Sequence, residues 1–228
     1  VEVIDNDADK RALKGLLALQ IHAGPPMAVE YKDIRVKHLD TEYGEARRLF
    51  NGKNMDGWTC PIEGAKKAWS VKDGKLTTAG KPRGYLRTKQ KYTNYVLRLQ
   101  FRHLTKGNGG VLLRIQGEDK IWPRCIEAQG MYRNVGDIWN LGSFPMKTDP
   151  DRREGRRTVK LHKSSERPLG EWNNYEIVLN GGELRYYVNR VLQNRARKCA
   201  QLPGYIGLQS EGSRMQFRNI VLIPIKKD

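Results

Sequence analysis

Tyr95-Val96-Leu97-Arg98-Leu99-Gln100-Phe101-Arg102 alternates apolar and polar side chains without a break. Successive side chains of a β-strand point to opposite faces. Tyr95, Leu97, Leu99 and Phe101 therefore face a core, and Arg98, Gln100 and Arg102 the other side. The pattern recurs along the chain. Val111, Leu113 and Ile115 repeat it, with Arg114 opposite, while Ile126 and Ala128 point inward and leave Glu127 and Gln129 outward. Tyr175, Ile177 and Leu179 form another inner set before Gly181-Gly182, a hairpin signal, and Leu184, Tyr186 and Val188 return on the partner strand. Ile206 and Leu208 point inward near the end, with Gln209 outward. The only helix pattern is Asp7 to Lys14, and Arg133 to Arg167 reads as a long irregular stretch, a feature often tied to function. Many short alternating strands between Gly, Asn and Pro turns predict an all-β sandwich or jelly roll.

A second pattern is an internal echo. Gly15-Leu16-Leu17-Ala18-Leu19-Gln20 resembles Gly204-Tyr205-Ile206-Gly207-Leu208-Gln209, and Tyr31-Lys32-Asp33-Ile34 matches Phe217-Arg218-Asn219-Ile220 position by position in chemistry. The expected organisation is a tail of a preceding, truncated copy over residues 1–42 and a complete domain over residues 43–228, with a second copy of the domain in the native chain. A chain of 228 residues has room for that arrangement. No apolar run approaches the length of a membrane span.

The net charge of +17 points to an anionic ligand or a solvated basic surface. Its densest stretch holds Arg152, Arg153, Arg156, Arg157, Lys160, Lys163 and Arg167. No zinc-finger spacing, RNP-like strand or long basic helix accompanies it, which argues against specific nucleic-acid binding. Cys60, Cys125 and Cys199 show no metal-finger spacing. Either Cys60 pairs with Cys199, because Cys125 sits inside a strand pattern, or all three are buried thiols.

Leu49-Phe50-Asn51-Gly52-Lys53-Asn54-Met55-Asp56-Gly57-Trp58 resembles the opening motif of the 3-keto-disaccharide hydrolase domain family. Further motifs follow in order: Trp69-Ser70-Val71-Lys72-Asp73-Gly74, Asn108-Gly109-Gly110-Val111, Ile126-Glu127-Ala128-Gln129, Gly136-Asp137-Ile138-Trp139 and Gly170-Glu171-Trp172-Asn173. The resemblance covers residues 49 to about 225. It implies a concanavalin-like jelly roll of two antiparallel sheets, a carbohydrate groove on the concave sheet, and export from the cytoplasm. It also implies a substrate class, glycosides oxidised to a ketone at carbon 3. The ketone acidifies the hydrogen at carbon 2, so a base, a group facing the enolate oxygen and an acid for the leaving group suffice for cleavage.

On that reading Glu127 is the acid or base and Arg114 the enolate partner, with His162 a proton shuttle. Arg102, Gln129, Asp137, Trp139, Gln209 and Glu211 are the substrate-binding candidates. Each has a plainer alternative: a Glu127–Arg114 salt bridge, a Trp139 that anchors its loop, a His162 that is a surface residue among lysines. Trp58, Trp69 and Trp172 read as core. Asn51 and Asp56 read as turn residues, or as part of a Ca²⁺ site; no cofactor is certain. Two departures from the family stand out. Asn108-Gly109-Gly110 replaces a frequent Asn-Ser-Gly, and Glu211 occupies a position where the family often has His, which the first copy keeps as His22. Glu211 paired with Glu127 would suit ordinary acid–base hydrolysis. The alternatives to an enzyme are a non-catalytic carbohydrate-binding module and a basic adhesive or nucleic-acid-binding domain.

Overall fold

The computed structural model describes residues 42–226 and the isolated positions 24, 25, 28 and 30. The expected tail over residues 1–42, with the Asp7–Lys14 helix and His22, falls almost wholly outside the described residues.

Sixteen strands, numbered in chain order, form two antiparallel sheets among the described residues. The first sheet runs β14 (Val191–Ala196), β13 (Glu183–Val188), β12 (Asn173–Asn180), β6 (Tyr95–His103), β16 (Met215–Pro224), β4 (Lys75–Thr78), β3 (Trp69–Lys72), and β1 (Arg47–Arg48) also pairs with β16. The second runs β10 (Arg153–Glu154), β11 (Arg157–Thr158), β9 (Ile138–Leu141), β8 (Arg124–Gln129), β7 (Gly110–Gln116), β15 (Tyr205–Ser210), β5 (Gly84–Thr88), β2 (Trp58–Thr59). The chain changes sheet between β6 and β7 and again between β15 and β16, as a jelly roll requires.

The core lies between the sheets. Tyr95, Leu97, Leu99 and Phe101 of β6, with Tyr175, Ile177 and Tyr186, meet Val111, Leu113, Ile126, Ala128 and Leu208 of the second sheet. Each such side chain contributes about 1.5–3 kcal/mol by leaving water. The alternation that predicts these inner faces holds, and Gly181, at φ 55°, makes the expected turn between β12 and β13.

Arg114 breaks the alternation. A β-bulge between Leu113 and Gln116 puts Arg114 at φ 53° and shifts the parity of the residues after it. Ile115 thus joins Tyr85, Leu112, Cys125 and Leu141 in a small apolar cluster on the outward face of the second sheet. Arg114 turns inward and is fully buried. Its guanidinium donates to the carbonyls of Ala200 at 2.6 Å, Thr93 at 2.9 Å and Gly181 at 3.0 Å. It is a structural staple rather than an enolate partner, and it forms no salt bridge with Glu127.

Other expectations are corrected in the same way. The stretch Arg133–Arg167 is not one irregular loop, because β9, β10 and β11 lie in it, two of them only two residues long. The three cysteines are free, and Cys60 donates to the Tyr85 carbonyl at 3.4 Å instead of bonding to Cys199. Trp58 and Trp69 are buried, whereas Trp172 stacks between Arg102, at 4.8 Å, and Arg218, at 4.0 Å, on the far side of the first sheet.

Arg114→Met strands three carbonyls that a charged donor now satisfies. At about 1.5–3 kcal/mol for each such bond, it is expected to lower stability by about 3 kcal/mol or more, read from the urea midpoint.

Candidate functional site

The outward face of the second sheet carries the site. On β8, the residues opposite Ile126 and Ala128 are Cys125, Glu127 and Gln129. Register sets Glu127 between Leu112 of β7 and Trp139 of β9, and Gln129 beside Gly110. Gln209 lies on β15 opposite Tyr85, and the chain beyond that strand places Glu211 against Asn108. These residues surround a cleft of about 280 Å³, lined by Asn108, Glu127, Gln129, Trp139, Arg156 and Glu211, with Trp122 at its rim.

Gly110 makes room for the arrangement. A Cβ there would stand 2.6 Å from the Gln209 side-chain oxygen and 2.9 Å from the Ala128 carbonyl. Without it Gln209 lies against the strand, and its amide donates to Glu211 Oε2 at 2.9 Å. Trp122 Nε1 donates to the other oxygen, Glu211 Oε1, at 2.8 Å. The Gln209 amide also lies close enough to Glu127 to favour its charged form, so one amide acts on both carboxyl groups.

The two carboxyl groups differ in environment. Burial pushes the Glu127 pKa from 4.5 up to about 8, and the charge of Glu211 adds to the rise. The nearby Gln209 amide and the charge of Arg156 oppose it without cancelling it. Glu127 is therefore mostly protonated at neutral pH. Four polar atoms here are buried without a protein partner: Glu127 Oε1, Asn108 Oδ1, Trp139 Nε1 and Gln209 Oε1. Buried polar groups are nearly always satisfied, so such a convergence suits the hydroxyls of a ligand. Trp122 is 49% exposed and offers a ring to an incoming molecule.

Of the residues expected from sequence, Glu127, Gln129, Trp139, Gln209 and Glu211 converge here. Arg102 does not. Its parity is as read, but β6 belongs to the first sheet, and Arg102 donates there to Gln216 at 2.9 Å. Asp137 is buried and already saturated. Its Oδ2 accepts from Arg157 at 2.8 Å, and its Oδ1 from the Lys160 backbone N–H at 2.9 Å and the Lys160 ammonium at 3.3 Å. It fastens β11 to β9 rather than binding substrate. His162 is exposed and does not line the cleft. Trp122, Asn108 and Arg156 are site residues that sequence reasoning misses. The available signal is Ile121-Trp122-Pro123, an apolar pair that no alternating strand accounts for.

A second polar cluster is closed off inside the sandwich. His103 Nδ1 lies 2.9 Å from Ser213 Oγ, and His103 Nε2 lies 3.7 Å from Glu166 Oε1. Burial lowers the His103 pKa to about 4 and raises that of Glu166 to about 7. Ser213 is fully buried and donates to the Thr105 carbonyl at 2.6 Å, so no substrate reaches it. Among the described residues no cluster of His, Cys, Asp and Glu has the makings of a metal site. Asn51 Oδ1 accepts from the Lys53 and Asn54 backbone N–H groups, the turn role expected for it.

The sequence profile of the 3-keto-alpha-glucoside-1,2-lyase-like domain matches residues 45–223. The chain belongs to this family. Similar solved structures include a proposed glycosyl hydrolase from Parabacteroides distasonis ATCC 8503, at 20% identity and a TM-score of 0.62, over 79% of this chain and 94% of that one. A Bacillus licheniformis beta-glucanase superposes at 12% identity and a TM-score of 0.56, over 82% and 98%. The carbohydrate-binding module CBM66 from Bacillus subtilis does so at 13% identity and 0.53, over 73% and 95%. The fold is thus a concanavalin-like jelly-roll sandwich of the kind found in glycosidases and sugar-binding modules. No curated protein is a significant match. Among the described residues no helix is long and apolar enough to cross a membrane.

The raised Glu127 pKa has a stability consequence. Between about pH 5 and pH 8 the folded state holds a proton that the unfolded chain has lost, so stability falls as pH rises through that window. Glu166 acts in the same direction up to about pH 7. Glu127→Gln removes the larger contribution. Its melting temperature is expected to exceed that of the wild type at pH 8 and to converge with it at pH 5, as scanning calorimetry would read.

Proposed function

We propose that this domain cleaves the glycosidic bond of 3-keto-glycosides in the cleft between Glu127 and Glu211. The observation that carries the reading is a carboxyl group held protonated near neutral pH beside a second carboxyl group that accepts from Gln209 and Trp122, all in one cleft. Environments that separate two carboxyl groups in this way suit an acid and a base.

In this reading Glu211 takes the hydrogen from carbon 2 of the keto sugar. The electron pair of that C–H bond moves to the ketone as an enolate. Arg156, the cation that lines the cleft, and the Asn108 side chain face the enolate oxygen, the part that the sequence suggests for Arg114. Collapse of the enolate expels the oxygen at carbon 1, and Glu127 delivers its proton to that oxygen. Water adding across the resulting double bond completes a net hydrolysis. Glu211 thereby does the work expected of the His that this position often holds. The exposed ring of Trp122 favours a second reading, a sugar-binding module that holds a chain without cutting it. The echo at residues 15–34 supports a further copy of the domain in the native chain, and family membership supports export; both are part of the proposal.

Turnover of 3-keto-glycosides and their unoxidised parents, followed by mass spectrometry, tests the proposal. Glu127→Gln and Glu211→Gln are each expected to lower kcat by about 10²–10⁴ with binding retained. In D₂O the wild type should exchange the carbon 2 hydrogen, whereas direct displacement at carbon 1 would not. kcat should fall as pH rises past about 8, where Glu127 loses its proton. Sugar binding without turnover or exchange would establish the binding-module reading instead.

A further inference from the structure

The cleft does not end at Trp139. Arg156, whose guanidinium lies 5.9 Å from the Trp139 ring, also lines a second hollow of about 310 Å³ with Asn140, Ser143, Thr148 and Arg153. Thr148 in turn lines a third, of about 190 Å³, with Lys147, Arg195 and Arg197. Shared walls join the three into one path. It runs from the two carboxyl groups, over edge strands β11 and β10, to the rim where β14 of the other sheet approaches.

The far part of this path is basic in a way that the fold does not explain. Three of the carboxylates around it are already engaged: Asp137 by Arg157 and Lys160, Asp149 by Arg152, and Glu154 by Arg157. Arg153, Arg156, Arg195, Arg197 and Lys147 have no carboxylate within salt-bridge distance among the described residues, and all five are exposed. Holding like charges together on one rim costs energy unless an anion answers them. Asn140 Oδ1, in the wall of the second hollow, is buried without a partner. The near end of the path has a different character, since the Glu211 carboxylate disfavours an anion there and Glu127 is held neutral.

From this asymmetry we infer that the ligand is an acidic oligosaccharide, with an uncharged sugar unit at Glu127 and Glu211 and carboxylate- or sulfate-bearing units over Arg153, Arg195 and Arg197. The inference rests on the cleft being the carbohydrate site and adds the class of carbohydrate. A nucleic acid fits less well, because a phosphate on every unit would bring charge against the carboxyl end.

Titration calorimetry with four probes tests it: a hyaluronan hexasaccharide and a keratan sulfate hexasaccharide, which carry a carboxylate or a sulfate beside uncharged units, neutral laminarihexaose and a twelve-nucleotide single-stranded DNA. The wild type is expected to bind at least one acidic saccharide tenfold or more tightly than the neutral one. Arg153→Gln with Arg197→Gln should abolish that preference and leave neutral binding alone. Lys66→Gln with Lys67→Gln removes the same charge from the far edge of the sheet and should change nothing. Equal affinity for neutral and acidic saccharides overturns the inference, as does equal loss from the two double variants or tighter binding of the DNA. The outcomes separate from those for catalysis. Acidic preference without turnover sinks the enzyme reading and leaves this one, whereas turnover of neutral keto-glycosides with no acidic preference does the reverse.

Discussion

Two tyrosine hydroxyls and one carbonyl hold the site to the core. Tyr175 and Tyr186, from adjacent strands of the first sheet, both donate to the backbone oxygen of Gln129, at 3.2 and 3.0 Å. A buried phenol with no acceptor costs about 1–3 kcal/mol, so the two rings fix where the end of β8 must lie. That strand presents Ala128 to the core and Glu127 and Gln129 to the cleft. The Gln129 side-chain oxygen accepts from the Met131 N–H at 2.9 Å, and its own N–H donates to the Asp137 carbonyl at 3.0 Å. The next link is the buried Asp137, gripped by Arg157 and Lys160, which carries the constraint to the edge strands. Core, cleft floor and basic rim thus form one chain of polar satisfaction.

Sequence periodicity recovers what depends on period alone. It places Tyr95 to Phe101, and it puts Glu127 and Gln129 on the face opposite Ile126 and Ala128, because regular strands obey a repeat of two. It fails where the backbone leaves that repeat. One extra residue in the bulge at Arg114 inverts the assignment of Arg114 and Ile115 together, and nothing in Leu113-Arg114-Ile115 announces it. Arg102 shows a different limit: alternation says which face a residue occupies but not which sheet. Strands of two residues, such as β10 and β11, are too short to show any period. Trp122 escapes because its role depends on Glu211, far away in the chain, and only the fold brings them together.

The properties of Glu127 come from three separate segments of the chain. β8 buries it, β15 and the chain just after it bring Gln209 and the charge of Glu211, and the turn between β10 and β11 brings Arg156. A carboxyl group on an isolated strand would have an ordinary pKa, so its acid character belongs to the assembled sandwich. The residues that set it arrive only when long-range pairing is complete, so the chemistry cannot precede the fold.

The tight packing behind Gly109 bears on how such a domain can change over time. A Cβ at residue 109 would stand 2.5 Å from the Met215 sulfur, so any side chain there displaces the Met215 thioether from its present rotamer. Residue 109 leads into the cleft strand and residue 215 begins β16 of the opposite sheet. The two positions are therefore expected to be epistatic. A side chain at residue 109 is accommodated as far as the flexible Met215 thioether can swing aside, so the tolerance of one sheet to change is set by a residue of the other.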